Sequence, residues 1–174
     1  MSRERSRVGV LSGALLLVGL LVLGAGPTPG EAKDRRKVVL GPIESVTVKG
    51  CKAAFRARID TGAATCSIHC ESMEIESPHP DPRKNVGKLL TFVTRDARGR
   101  KSKLRGKIVK TTLVRGSEGA DRRYKVRLTL SCKGVSREVD VNLNDRRKMT
   151  YKLLIGRNFL RGAFLVDVSL ETDH

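Results

Sequence analysis

Every second residue is apolar in run after run of this chain, and that rhythm narrows the choice of fold more than any other feature. Val46 and Val48 alternate with Thr47 and Lys49, and Phe55, Ala57 and Ile59 alternate with Arg56 and Arg58. Successive side chains of an extended strand point to opposite faces, so each run predicts a strand with one buried and one wet face. The pattern returns in LLTFVTRDARGRKSKLRGKIV, which predicts a hairpin with its tip near Arg98 and Gly99. It returns again in YKVRLTL and SREVDVNL, paired around Lys133 and Gly134. Gly50 turns the first two strands into one another. Pro78, Pro80 and Pro82 mark a surface loop, because proline cannot donate to a strand ladder. Only Arg157 to Arg161 and the segment Glu71 to Glu76 suit a short helix. No stretch of about ten to fifteen helical residues separates the strands, which argues against a parallel α/β sheet and for a compact all-β barrel or sandwich. SVTVKGCKAAFRARID and RLTLSCKGVSREVDVN also share a strand, a Cys-bearing turn and an alternating strand, a faint echo of two similar halves.

The N-terminus breaks the rhythm. Arg3, Arg5 and Arg7 precede residues 8–26, which are uncharged and apolar. This pattern predicts an export signal cleaved after Ala32 or, uncleaved, a membrane anchor. The expected organisation is that segment over residues 1–32, a linker over 33–37 and one folded domain over 38–174. Without residues 1–32 the formal charge falls only from +17 to +16, so the domain is basic in its own right. Such a balance suits acidic partners, whether peptide, polymer or lipid surface. Nucleic acid is a poor candidate: with no Trp, two Tyr and four Phe there is little for bases to stack on. The expected location is periplasmic or otherwise extracytoplasmic. In an oxidising compartment Cys51, Cys66, Cys70 and Cys132 are disulfide candidates, with three pairings open. Cys66, His69 and Cys70 also lie close in sequence. A zinc site needs a fourth ligand and no His-Glu-x-x-His stretch occurs, so the sequence calls for no metal and no cofactor.

Asp60 stands where the second alternating strand ends, followed by Thr61, Gly62 and Ala63. An acid in a small-residue turn is equally a loop or a carboxylate held for chemistry. A second motif, Leu154-Ile155-Gly156-Arg157-Asn158, follows a later strand. Together the two motifs resemble the retropepsin-like aspartic peptidases. The tail NLNDRRKMTYKLLIGRNFLRGAFLVD resembles a bacterial branch of them often labelled "ATP-dependent zinc protease". The resemblance runs from Val39 to Asp167 and implies a closed acid-protease barrel with one short C-terminal helix. ATP dependence has no support, since no Gly-x-x-x-x-Gly-Lys-Ser/Thr stretch occurs.

Peptidases of this kind set two carboxylates about 3 Å apart around one shared proton, because two adjacent negative charges cannot both persist. One takes a proton from water while the other donates to the scissile carbonyl, without a covalent intermediate. The resemblance makes Asp60 the catalytic carboxylate, with Thr61, Gly62 and Ala63 forming its loop. Thr61 would anchor that loop through its hydroxyl, and Gly62 would let backbone amides approach the acid. Gly156 would pack behind the site where a side chain would collide, beside Leu154, Ile155, Arg157 and Asn158. One Asp-Thr-Gly per chain implies a homodimer in which each subunit contributes Asp60. Asp167 is the other acid to weigh within a single chain. The Leu89 to Val109 hairpin, with Arg98 and Gly99 at its tip, falls where these enzymes carry a flap. Its cations Arg95, Arg98, Arg100, Lys101, Lys103 and Arg105 would attract an acidic peptide. Ala64 departs from the retroviral pattern, which has an acid there to pair with the motif arginine, so Arg157 needs another partner. The expectation is an exported or membrane-tethered aspartic endopeptidase acting on a peptide or protein substrate. The alternative is a non-catalytic exported module that binds acidic polymers through its basic surface.

Overall fold

The alternating runs are the staves of a closed barrel. The computed structural model describes residues 36–96, 98–116 and 119–170, and the side chains of 114–116 and 119–121 lie outside that description. So does residues 1–35, which hold the segment read as an export signal or anchor and most of the linker. In chain order the elements are β1 (Val38–Leu40), β2 (Ile43–Val48), β3 (Phe55–Ile59), β4 (Cys66–His69), β5 (Ser72–Ile75), β6 (Leu89–Arg95), β7 (Lys101–Gly116), β8 (Gly119–Cys132), β9 (Val135–Asn144), β10 (Leu153–Ile155), α1 (Arg157–Leu160) and β11 (Phe164–Val166). Six strands close in the order β2-β3-β10-β4-β9-β8, and β8 returns to β2. The fold is all-β with one short helix. β10 lies between β3 and β4, parallel to the first and antiparallel to the second, although it follows both by more than eighty positions in sequence.

Strand parity explains the core. Val126, Leu128 and Leu130 of β8, Val139, Val141 and Leu143 of β9, and Phe55, Ala57 and Ile59 of β3 all point inward and are buried. Their alternate neighbours, among them Arg127, Arg56 and Arg58, face outward. Leu153 and Ile155 close the wall, and Phe159 of α1 plugs it, stacked on Phe164 with ring centroids 5.2 Å apart. β4 is buried on both faces. The β8–β9 turn puts Lys133 and Gly134 both at positive φ, 42° and 79°. That is the geometry a two-residue hairpin needs to match the twist of its strands.

Three expectations are corrected. Glu71 to Glu76 is no helix: Ser72–Ile75 is β5, paired antiparallel with β6 from Ser72↔Val93 to Ile75↔Leu90. An open sheet edge outweighs a weak helical preference. β7 also does not end at Val109. It pairs with β6 up to Lys107, bulges between Ile108 and Lys110, and continues to Gly116 as the first arm of a second hairpin with β8. The four cysteines are free thiols. Each is committed to its own surroundings: Cys66 beside Asn158, Cys70 toward the Ser72 carbonyl, Cys51 beside Ser102 and Cys132 at the β8–β9 turn.

Candidate active site

Asp60 leaves β3 with its backbone still in the sheet, its N–H donating to the Ile155 carbonyl at 2.9 Å. The chain then turns at once. Gly62 and Ala63 direct their N–H groups back onto Asp60 Oδ1, at 3.0 and 3.1 Å. Thus one carboxylate oxygen is fixed by two backbone donors, while the side chain as a whole stays partly open to solvent.

The turn is locked from behind by the second motif. Gly156 lies so close that a β-carbon there would stand 2.6 Å from the Thr65 carbonyl carbon and 2.9 Å from the Ala63 oxygen, closer than packed atoms come. Arg157 donates its backbone N–H to Ala63 O at 2.8 Å, and its Nη1 reaches Thr61 O at 3.0 Å and Gly62 O at 2.7 Å. These carbonyls are the partners that Arg157 finds in place of an acid at Ala64. Asn158 stitches three segments: its Oδ1 accepts from the Cys66 N–H at 2.9 Å and its Nδ2 donates to Asp140 O at 2.8 Å. The Cys66 thiol sits 3.2 Å from the same Oδ1 and accepts from the Gly156 N–H at 3.3 Å, and burial pushes it up to about 11. Ile155 belongs to the core, while Leu154 shares the outer face with Arg58 and Ser67, its register partners. Thr61 is exposed; it holds the loop through its carbonyl, and its hydroxyl has no partner among the described residues.

Other candidates fall elsewhere. The Arg98–Gly99 turn is set beside the β2–β3 turn, where Asp96 and Ser102 neighbour Cys51. β3 separates that turn from Asp60 by five residues, about 16 Å of strand, so this hairpin does not cover the acid. Its cations are largely paired, Arg95 and Lys101 with Glu71 at 3.0 Å, Arg100 with Asp96 at 2.7 Å, and Arg105 with Glu76. Asp167 caps its own turn by accepting from Ser169 N and Oγ, and those bonds hold its pKa down. Zinc finds no donor set: among the described residues no three His, Cys, Asp or Glu side chains converge.

Sequence reasoning overlooked the β9–β10 loop. Arg146 in that loop is buried, and Asp60 acts on it electrostatically, as do Arg58 and Arg123 of β8. Through Arg123 the β7–β8 hairpin acts on the same guanidinium as Asp60; its residues 117 and 118 lie outside the described residues. Its sequence signal is Gly116-Ser117-Glu118-Gly119, a polar pair flanked by glycines between two alternating runs.

A barrel that clamps a strand-end Asp-Thr-Gly turn against a Gly-Arg-Asn turn has the architecture of the retropepsin-like peptidases. Residues 39–172 match the model of the RimB-like family, described as "Retropepsin-like aspartic endopeptidase RimB", and the chain belongs to that family. A "Probable alpha-L-glutamate ligase" of Shewanella pealeana is 31% identical over 121 residues, 67% of this chain and 25% of the relative. A protein of the same name from Parasynechococcus marenigrum is 27% identical over 137 residues, 76% of this chain and 28% of its own length. The chain thus spans about a quarter of the length of the curated relatives it matches. Among solved structures, a Legionella pneumophila protein described as of unknown function shares the fold with a TM-score of 0.62 at 24% identity. The match covers 76% of this chain and 95% of that one.

Proposed function

We propose that this domain is an aspartic endopeptidase whose working unit is a homodimer, with the Asp60 carboxylates of two subunits facing each other across a twofold axis. The observation that carries this proposal is the carboxylate's own holding. Oδ1 is fixed by Gly62 and Ala63, whereas Oδ2 has no partner among the described residues. An acid held by one oxygen is oriented without being consumed in an ion pair.

Brought about 3 Å apart, two such groups share one proton. The ionised member removes a proton from water, whose oxygen bonds to the scissile carbonyl carbon. The protonated member gives its proton to the carbonyl oxygen. Collapse of the resulting diol breaks the carbon–nitrogen bond as a proton moves to the leaving nitrogen. Because the pair titrates as a unit, activity is confined to a pH window between its two macroscopic steps. The exposed Thr61 hydroxyl is available to the partner's loop. An acidic peptide suits the site, since the domain is strongly basic and Arg58 stands two residues before Asp60 on the same strand face. Residues 1–32 are proposed to carry the domain out of the cytoplasm.

Cleavage of a peptide library by the purified domain tests the assignment. Asp60→Asn should abolish cleavage while leaving the melting temperature unchanged, and chelators should have no effect. An Asp60→Asn protein that cleaves as fast as the parent would overturn it. Salt-sensitive binding of acidic polymers with no cleavage under any condition would favour the non-catalytic module instead.

A further inference from the structure

Arg146 is a largely buried residue, 8% exposed, whose cation has no ion-pair partner among the described residues. Buried arginines are almost always paired, because desolvating a charge without compensation is costly. Here the neighbouring charges aggravate the problem: Arg123 and Arg58 repel the cation electrostatically, and Asp60 draws the other way.

The residue is nevertheless held in place. Its backbone N–H donates to Nδ1 of the buried His69 at 3.0 Å, and its Nε donates to Tyr151 O at 3.1 Å. Lys152 Nζ gathers the carbonyls of Arg146, Arg147 and Met149 at 3.2, 2.9 and 2.7 Å, which closes the β9–β10 loop on itself. One guanidinium N–H is therefore engaged, while the two Nη groups have no acceptor among the described residues. A fork of donors fixed in position, partly buried and surrounded by like charge is built to receive a planar anion.

We propose that Arg146, assisted by Arg58, receives a carboxylate of the substrate, so that acid specificity resides in the β9–β10 loop. This rests on the peptidase assignment and adds to it the residue that discriminates. The carboxylate has two sources, an acidic side chain beside the scissile bond or the C-terminus of the peptide. Arg146 touches substrate in this scheme but no bond made or broken.

The test is binding to Asp60→Asn protein, so that no cleavage intervenes. Titration calorimetry compares peptides with blocked ends containing Glu or Gln, and a Gln peptide with a free C-terminus. The parent should prefer a carboxylate-bearing peptide, and Arg146→Gln should lose about thirtyfold or more of that preference while binding the blocked Gln peptide as before. Loss confined to the Glu peptide assigns the side chain; loss confined to the free C-terminus assigns the terminal group. Arg146→Lys, which keeps the charge but not the fork, and Arg58→Gln, at an exposed position, should each weaken the preference in part and cover the case in which Arg146→Gln does not fold. A folded Arg146→Gln protein with undiminished preference overturns the assignment. That result would leave the peptidase function standing if wild type still cleaves, whereas a carboxylate preference that depends on Arg146 stands even if no peptide is cut.

Discussion

Gly156 has no room for a side chain, and the reason is the loop it supports. A methyl group would meet the Thr65 backbone at 2.6 Å, so either β10 or the Asp60 turn must move. Gly156→Ala should therefore lower unfolding free energy by about 1–3 kcal/mol, as overpacking does, and reduce cleavage further than the stability loss explains. An unchanged urea midpoint would contradict the clamp. The thiols make a second prediction at this scale. Burial pushes Cys66, Cys70 and Cys132 up to about 11 and raises Cys51 as well, so little thiolate exists near neutral pH. A thiol-reactive chromophore should titrate four groups in denaturant and react slowly with the native protein. Fewer than four in denaturant without reductant would reveal a disulfide.

At the level of elements, the β9–β10 loop depends on a neutral histidine. Nδ1 of His69 accepts from Arg146 N–H, so a proton on that nitrogen would replace an acceptor with a donor. Burial lowers the His69 pKa first of all, with Lys152 acting in the same sense, while Asp145 and Glu71 oppose. A histidine whose folded pKa lies below its unfolded value stabilises above the unfolded pKa, and that contribution is lost as pH falls through the folded one. Stability should thus decline as pH drops below about 6.5. His69→Asn, which keeps an acceptor in place without the titration, should flatten this decline; an identical slope in both proteins would remove His69 from the account. The same element marks where sequence reading stopped. Asp60 and the Gly156-Arg157-Asn158 turn were legible because short motifs carry their geometry with them. Arg146 was not, since in DRRKMTYK it is one basic residue among several and only the folded loop decides which is buried. The second hairpin was missed for a related reason: β7 belongs to two sheets, and an alternating run does not announce where its partner changes.

For the whole molecule, parity predicted an all-β domain, and closure explains why nearly every alternating run has a buried face. The insertion of β10 between β3 and β4 is a long-range pairing that no local pattern encodes, yet it brings the Gly156 turn behind Asp60. On the proposed mechanism a single chain supplies half of the catalytic pair, one Asp60. Mixing active wild-type protein with Asp60→Asn protein and allowing subunits to exchange reads this most directly. If catalysis needs Asp60 from both subunits, an equal mixture should retain about a quarter of the activity of the same total amount of wild type, because only that share of dimers carries two aspartates. Retention of about half, the value for subunits that each work alone, would contradict it.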